Sequence, residues 1–135
     1  MGVKFDKKKA VGTAVIKKEI TESDIENIIV TSFEGGSNSW LGLDNISEEM
    51  QSKPKGVPWS TWTARLLIDG KSIKLYDVTG EIEDDSEWIL TLEKIIKGFQ
   101  LNCEKRPFDC DLEQGDAITS DCIVQYALFD KLVFN

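Results

Sequence analysis

Apolar residues at Ile25, Ile28, Ile29 and Phe33 recur at the three- and four-residue spacing of one helix face and predict a helix over residues 22–34. Its start is well marked. Thr21 suits the N-cap, Asp24 stands where a capping box would reach back, and Glu22, Asp24 and Glu26 bring negative charge to the positive end of the helix dipole. Gly35 is the expected left-handed exit, and Gly36, Ser37, Asn38, Ser39 and Trp40 then form a polar segment rich in backbone donors. A small-molecule site would be sought there first. Upstream, Lys4 to Lys9 reads as a solvated arm, and Val11, Val15, Ile16 and Ile20 with Thr13 read as a strand of imperfect alternation. Residues 37–43 fit a second, short strand.

From Asp44 to Pro58 the pattern lapses into a long loop, with a helical turn expected over residues 47–51. Residues 59–77 then read as a hairpin. Thr61 to Ile68 would be its first arm, Asp69-Gly70 a type I′ turn, and Lys71 to Tyr76 its alternating return. An acidic loop over residues 81–87 leads to a third strand, residues 88–91. Leu92, Ile95, Ile96 and Phe99 predict a second helix from about Thr91 to Cys103, with Pro107 blocking its continuation. A third helix, capped by Asp116 or Thr119, would present Ile118, Cys122, Ile123, Tyr126 and Phe129 and break at Asp130-Lys131. Leu132, Val133 and Phe134 suggest a last strand or a contact surface. The expected architecture is α+β: a twisted, mostly antiparallel sheet with about three helices packed on one face, residues 1–10 as a flexible basic arm and residues 11–135 as one domain.

Charge narrows the function. The net charge is −8, yet the first twenty residues hold six lysines against Asp6 and Glu19, leaving ten basic against twenty-two acidic residues, or −12, in the remainder. A body that acidic repels a nucleic-acid backbone, so no nucleic-acid partner is expected. A small anion in a local donor-rich pocket stays compatible, as does mimicry of a phosphate backbone toward a basic protein. No run of about eighteen apolar residues and no apolar leader region occur, which predicts a cytoplasmic protein with no membrane association.

The chemistry-bearing residues are sparse. Cys103, Cys110 and Cys122 are odd in number, lack Cys-x-x-Cys spacing and have no histidine to join them, so free thiols are expected and no metal or other cofactor. Asp109-x-Asp111-x-Glu113 opens like a calcium loop, but Gln114 and Ser120 stand where that loop needs Gly and Glu. Without histidine the commonest general base is missing, and no catalytic residue is assigned. A two-carboxylate hydrolase would need Asp116 and Asp121 brought near Glu34, which nothing in the sequence requires. Gly35-Gly36 lacks the Lys-Ser/Thr ending of a phosphate-binding loop. Trp40, Trp59, Trp62 and Trp88 are ordinarily core residues. Trp59 and Trp62, beside a Pro-bounded loop, could instead stack on a base while Arg65 meets a phosphate, although strand parity would set Trp62 and Arg65 on opposite faces.

Three segments carry a resemblance: residues 28–40, containing Phe33-Glu34-Gly35-Gly36-Ser37-Asn38-Ser39-Trp40; residues 88–98, Trp-Ile-Leu-Thr-Leu-Glu-Lys-Ile-Ile-Lys-Gly; and residues 121–129, Asp-Cys-Ile-Val-Gln-Tyr-Ala-Leu-Phe. In this order they resemble a widespread family of small bacteriophage and prophage proteins, from which Asp130 and Asn135 depart at positions the family often gives to Gly. The resemblance implies a phage-encoded counter-defence protein. One class of these sequesters nucleotide immune signals, cyclic ADP-ribose derivatives or cyclic dinucleotides, as non-catalytic oligomeric sponges. That reading predicts a homo-oligomer with a small nucleotide ligand held by Glu34, Gly35, Gly36, Ser37, Asn38, Trp40, Trp59, Trp62, Arg65, Gln125 and Tyr126. The alternatives are an acidic inhibitor of a host defence protein, or an accessory factor in phage replication or assembly.

Overall fold

Thr21 begins the ordered core in the way its side chain dictates. Its hydroxyl accepts from the Asp24 amide at 3.1 Å and its own amide donates to the Asp24 carboxylate at 3.0 Å, completing the capping box of helix α1, Glu22–Thr31. The computed structural model describes residues 2–81 and 87–134. After α1 come strand β1 (Leu41–Leu43), helix α2 (Glu48–Gln51, capped by Ser47), helix α3 (Trp59–Ile68), strands β2 (Ile73–Asp77) and β3 (Glu87–Leu90), helix α4 (Leu92–Lys105, capped by Thr91) and helix α5 (Ala117–Phe129). The strands form an antiparallel sheet in the order β1-β2-β3, with Leu43 opposite Leu75 and Leu75 opposite Trp88. The described residues thus make five helices and a three-stranded antiparallel sheet, a mixed α+β fold. None of these helices is long and apolar enough to cross a membrane.

Helix α5 is central because it is apolar nearly all round. Residues 122–127 are buried without interruption, the mark of a helix enclosed on every side. Gly98 admits α4 to close range: a Cβ there would lie 2.4 Å from the Ile123 carbonyl oxygen. Ile28 and Ile29 of α1, Leu67 of α3, Ile73 and Leu75 of β2, Leu90 of β3 and Ile95 of α4 complete one continuous core. Along β2 the inward Ile73 and Leu75 alternate with the exposed Lys74 and Tyr76.

Several expectations are corrected. The hairpin of residues 59–77 is half right: its return arm is β2, but its first arm is α3. Thr63, Ala64, Leu66 and Leu67 are buried at helical spacing, and packing on α1 overrides the β preference of Thr61, Trp62 and Thr63. Asp69-Gly70 accordingly closes a helix, with Gly70 at φ 89°. The strand expected over residues 11–20 is absent; residues 2–19 are exposed and have neither helix nor strand. Only Leu41–Leu43 of the expected second strand pairs. Leu132 to Phe134 form no strand, and Ile118 is 63% exposed, off the buried face of α5. Most of the acidic loop, residues 82–86, lies outside the described residues.

Gly35 is also not left-handed. The chain leaves α1 through a π turn, Ser32–Gly36, closed by the Ser37 amide on the Ser32 carbonyl at 2.6 Å. The positive-φ glycines are Gly56, Gly70 and Gly80. Gly36 is the constrained member of the pair, since a Cβ there would stand 2.4 Å from the Ala117 carbonyl oxygen. Close approach of α5 thus requires glycine at 36.

Candidate functional site

The π turn and the middle of α5 meet in a polar network whose hub is Asp121. Its Oδ1 accepts from the Ser37 hydroxyl and from the Trp40 indole N–H, each at 2.7 Å, and its Oδ2 accepts from the Gln125 amide at 2.9 Å. Ser32 hydrogen-bonds Ser37 from beneath. Gln125 then holds the C-terminal segment, its Oε1 accepting the backbone N–H groups of Val133 and Phe134 at 2.8 Å and its amide donating to the Phe134 carbonyl at 3.0 Å. That contact lays Phe134 flat on Trp40, with ring centroids 4.7 Å apart and planes 9° from parallel, while Trp88 and Phe129 enclose the pair. Charge-assisted bonds of this kind, in a partly buried setting, fix a unique arrangement.

The structure therefore joins Gly36, Ser37, Trp40 and Gln125 around Asp121. Trp40 is 2% exposed, and among the described residues no buried side-chain polar atom lacks a partner. Tyr126 is likewise buried, under Lys105 at 5.8 Å. Glu34, Gly35 and Asn38 remain on the surface; Glu34 accepts from the Ser60 hydroxyl of α3 at 2.8 Å, and Asn38 bonds the Glu34 carbonyl. Asp121 and Ser60 were not among the expected site residues. The signal for Asp121 lay in its four-residue spacing from Gln125 on one helix.

The other tryptophans stand apart from this network. Trp59 is 38% exposed with the Lys53 ammonium 5.0 Å from its ring. Trp62 and Arg65, three residues apart on a helix, lie on one side of it and line the same groove between α1 and α3, about 500 Å³ in volume, together with Glu22, Glu26, Pro54 and Val57. The strand-parity objection to their joint use falls with the strand. Arg65 is already engaged, however, with Glu22 at 2.9 Å and Asp69 at 3.9 Å. A second groove of about 460 Å³ runs along α1 past Asp24, Glu26, Asn27 and Glu113.

Four further titratable groups, Cys103, Cys122, Asp109 and Asp116, are set by their neighbours. Burial, reinforced by the neighbouring Cys110, pushes the Cys103 thiol up to about 12, and burial also raises Cys122, so both stay protonated at neutral pH. Asp109 pairs with Arg106 at 2.7 Å and accepts from the Thr119 hydroxyl at 2.6 Å, which turns it away from the calcium-loop geometry. Asp116 caps α5, and the Thr119 backbone N–H holds its carboxyl below the usual carboxylate range. Glu34 accepts from Ser60, Asp116 from Thr119 and Asp121 from Ser37, so each carboxylate is held by a different partner.

Comparison with protein-family models, curated proteins and solved structures gives no match to this chain.

Proposed function

We propose that this protein binds another protein, without catalysis, through the acidic grooves flanking α1. The observation that carries this reading is the charge of the α1–α3 groove. Arg65, the one cation lining it among the described residues, already faces Glu22 and Asp69, while Glu26 there and Asp24 and Glu113 next to it have no ion-pair partner among those residues. Such a surface attracts a basic segment and repels nucleotide phosphates. The resemblance to phage proteins supports a host defence protein as the partner, held in the bacterial cytoplasm and inhibited by occupation of its basic surface.

Nucleotide sequestration is the second reading. Trp62 and Arg65 share one groove wall, so a base could stack on the indole while a phosphate displaces Glu22 from the guanidinium. One experiment separates the two. The full-length chain, Glu26→Lys and Trp62→Ala are purified from bacterial cells and examined by native mass spectrometry. The protein-binding reading expects a retained protein that Glu26→Lys loses; a retained nucleotide that Trp62→Ala loses would instead establish capture.

A further inference from the structure

The chain carries a basic segment of its own, opposite in charge to the acidic surface of α1. We propose that the basic arm, residues 2–20, docks into the α1–α3 groove of a second copy, in a reciprocal two-fold exchange. The inference rests on the same acidic surface as the proposed function, but on no foreign partner.

Exposure supplies the first reason. Val3, Phe5, Val11, Val15 and Ile16 are between 82% and 97% exposed, five large apolar side chains set singly or as one pair along the arm and left in water. Charge supplies the second. Six lysines against Asp6 and Glu19 make the arm positive, while the rest of the chain holds ten basic against twenty-two acidic residues. The groove lining combines apolar Pro54, Val57 and Ile68 with Glu22, which faces Arg65, and Glu26, which has no ion-pair partner among the described residues, so Val15-Ile16 can meet apolar surface while Lys17-Lys18 meets the carboxylates.

Connectivity is the third reason. The arm joins α1 at Thr21, next to Glu22 on the groove rim, and an extended segment of ten residues reaches about 33 Å. Two copies facing each other with their α1–α3 grooves can therefore exchange arms symmetrically, each covering the other's groove.

Sedimentation equilibrium of the full chain tests this, with two double variants whose changes fall on exposed side chains: Val15→Asp with Ile16→Asp in the arm, and Glu22→Lys with Glu26→Lys in the groove. Circular dichroism checks their folding. The wild type is expected to dimerise, more weakly as salt rises from about 0.05 to about 0.5 M, and each variant to weaken dimerisation by roughly tenfold or more. An equimolar mixture of the two variants unites one intact arm with one intact groove and should recover part of the association. A synthetic peptide of residues 2–20 should dissociate the wild-type dimer, a readout independent of any variant's folding. A wild type that stays monomeric at about 100 μM, as it would if the arm folded onto its own groove, overturns the proposal, as does a dimer indifferent to both the peptide and the arm substitutions. A monomer that still captures a bacterial protein through Glu26 overturns the exchange alone; an arm-exchanged wild-type dimer, together with an arm variant (Val15→Asp with Ile16→Asp) whose uncovered groove retains no bacterial protein, overturns the protein-binding reading alone.

Discussion

The indole N–H of Trp40 reaches across 81 residues of sequence to donate to the Asp121 carboxylate at 2.7 Å, and this bond ties the π turn to the central helix. Asp121 also receives Ser37 and Gln125. Replacing it by Ala leaves three donors unsatisfied in a partly buried site and should cost about 3 kcal/mol, since hydrogen bonds to a charged group are the strong ones. Trp40→Phe should cost less and, combined with Asp121→Ala, should be non-additive. Urea midpoints for the two single variants and the double variant measure the coupling.

The two glycines of the π turn should behave differently. Gly36→Ala forces a methyl against the Ala117 carbonyl and should destabilise by about 1–3 kcal/mol, the range for overpacking. A Cβ at Gly35 meets only the Ala117 methyl, at an ordinary 3.9 Å, so Gly35→Ala should stay within about 0.5 kcal/mol of the parent. Thermal melts of the pair decide it; equal losses would mean that α5 can move away at no cost.

Among the tryptophans the expected order of stability loss on truncation to Ala is Trp88, then Trp62, then Trp59. Trp88 packs edge-on against Trp40 and Phe129, and its loss should approach the ~3 kcal/mol of an emptied aromatic site. Trp62 borders an open groove, its N–H held by the Glu49 carbonyl at 3.0 Å. Trp59, with Lys53 over its ring, should lose less than about 1 kcal/mol, the scale of an exposed cation–π contact. Denaturant midpoints give the ranking, and Trp59 emerging as the most costly would place it in the core.

Asp116 makes stability depend on acid. Its folded carboxyl lies below the ordinary 3.8 because the Thr119 amide bonds the ionised form. The contribution is therefore complete above the unfolded pKa and disappears as pH falls through the folded one. Asp116→Asn keeps a capping oxygen that does not titrate, so its melting temperature should fall less steeply than the wild type's below about pH 4, near the usual carboxylate range.

Local chemistry alone determined several elements. The Thr21–Asp24 capping box, the Thr91 cap of α4, the Asp116–Thr119 start of α5 and the break at Asp130, which adopts φ 59°, all depend on residues within four positions of one another. β2 and β3 were legible for the same reason, since alternation is a local property. Residues 59–68 were not, because Thr61-Trp62-Thr63 favours a strand locally and only burial against α1 makes it α3. The same limit applied to the candidate site. The sequence contained Gly36, Ser37, Trp40 and Gln125 as separate motifs, but tertiary structure brought them onto Asp121 and closed them around Phe134. It also put Trp62 and Arg65 on one groove wall beside Glu22. Contacts between residues some eighty positions apart depend on how the helices pack, and no periodicity within either segment encodes that distance.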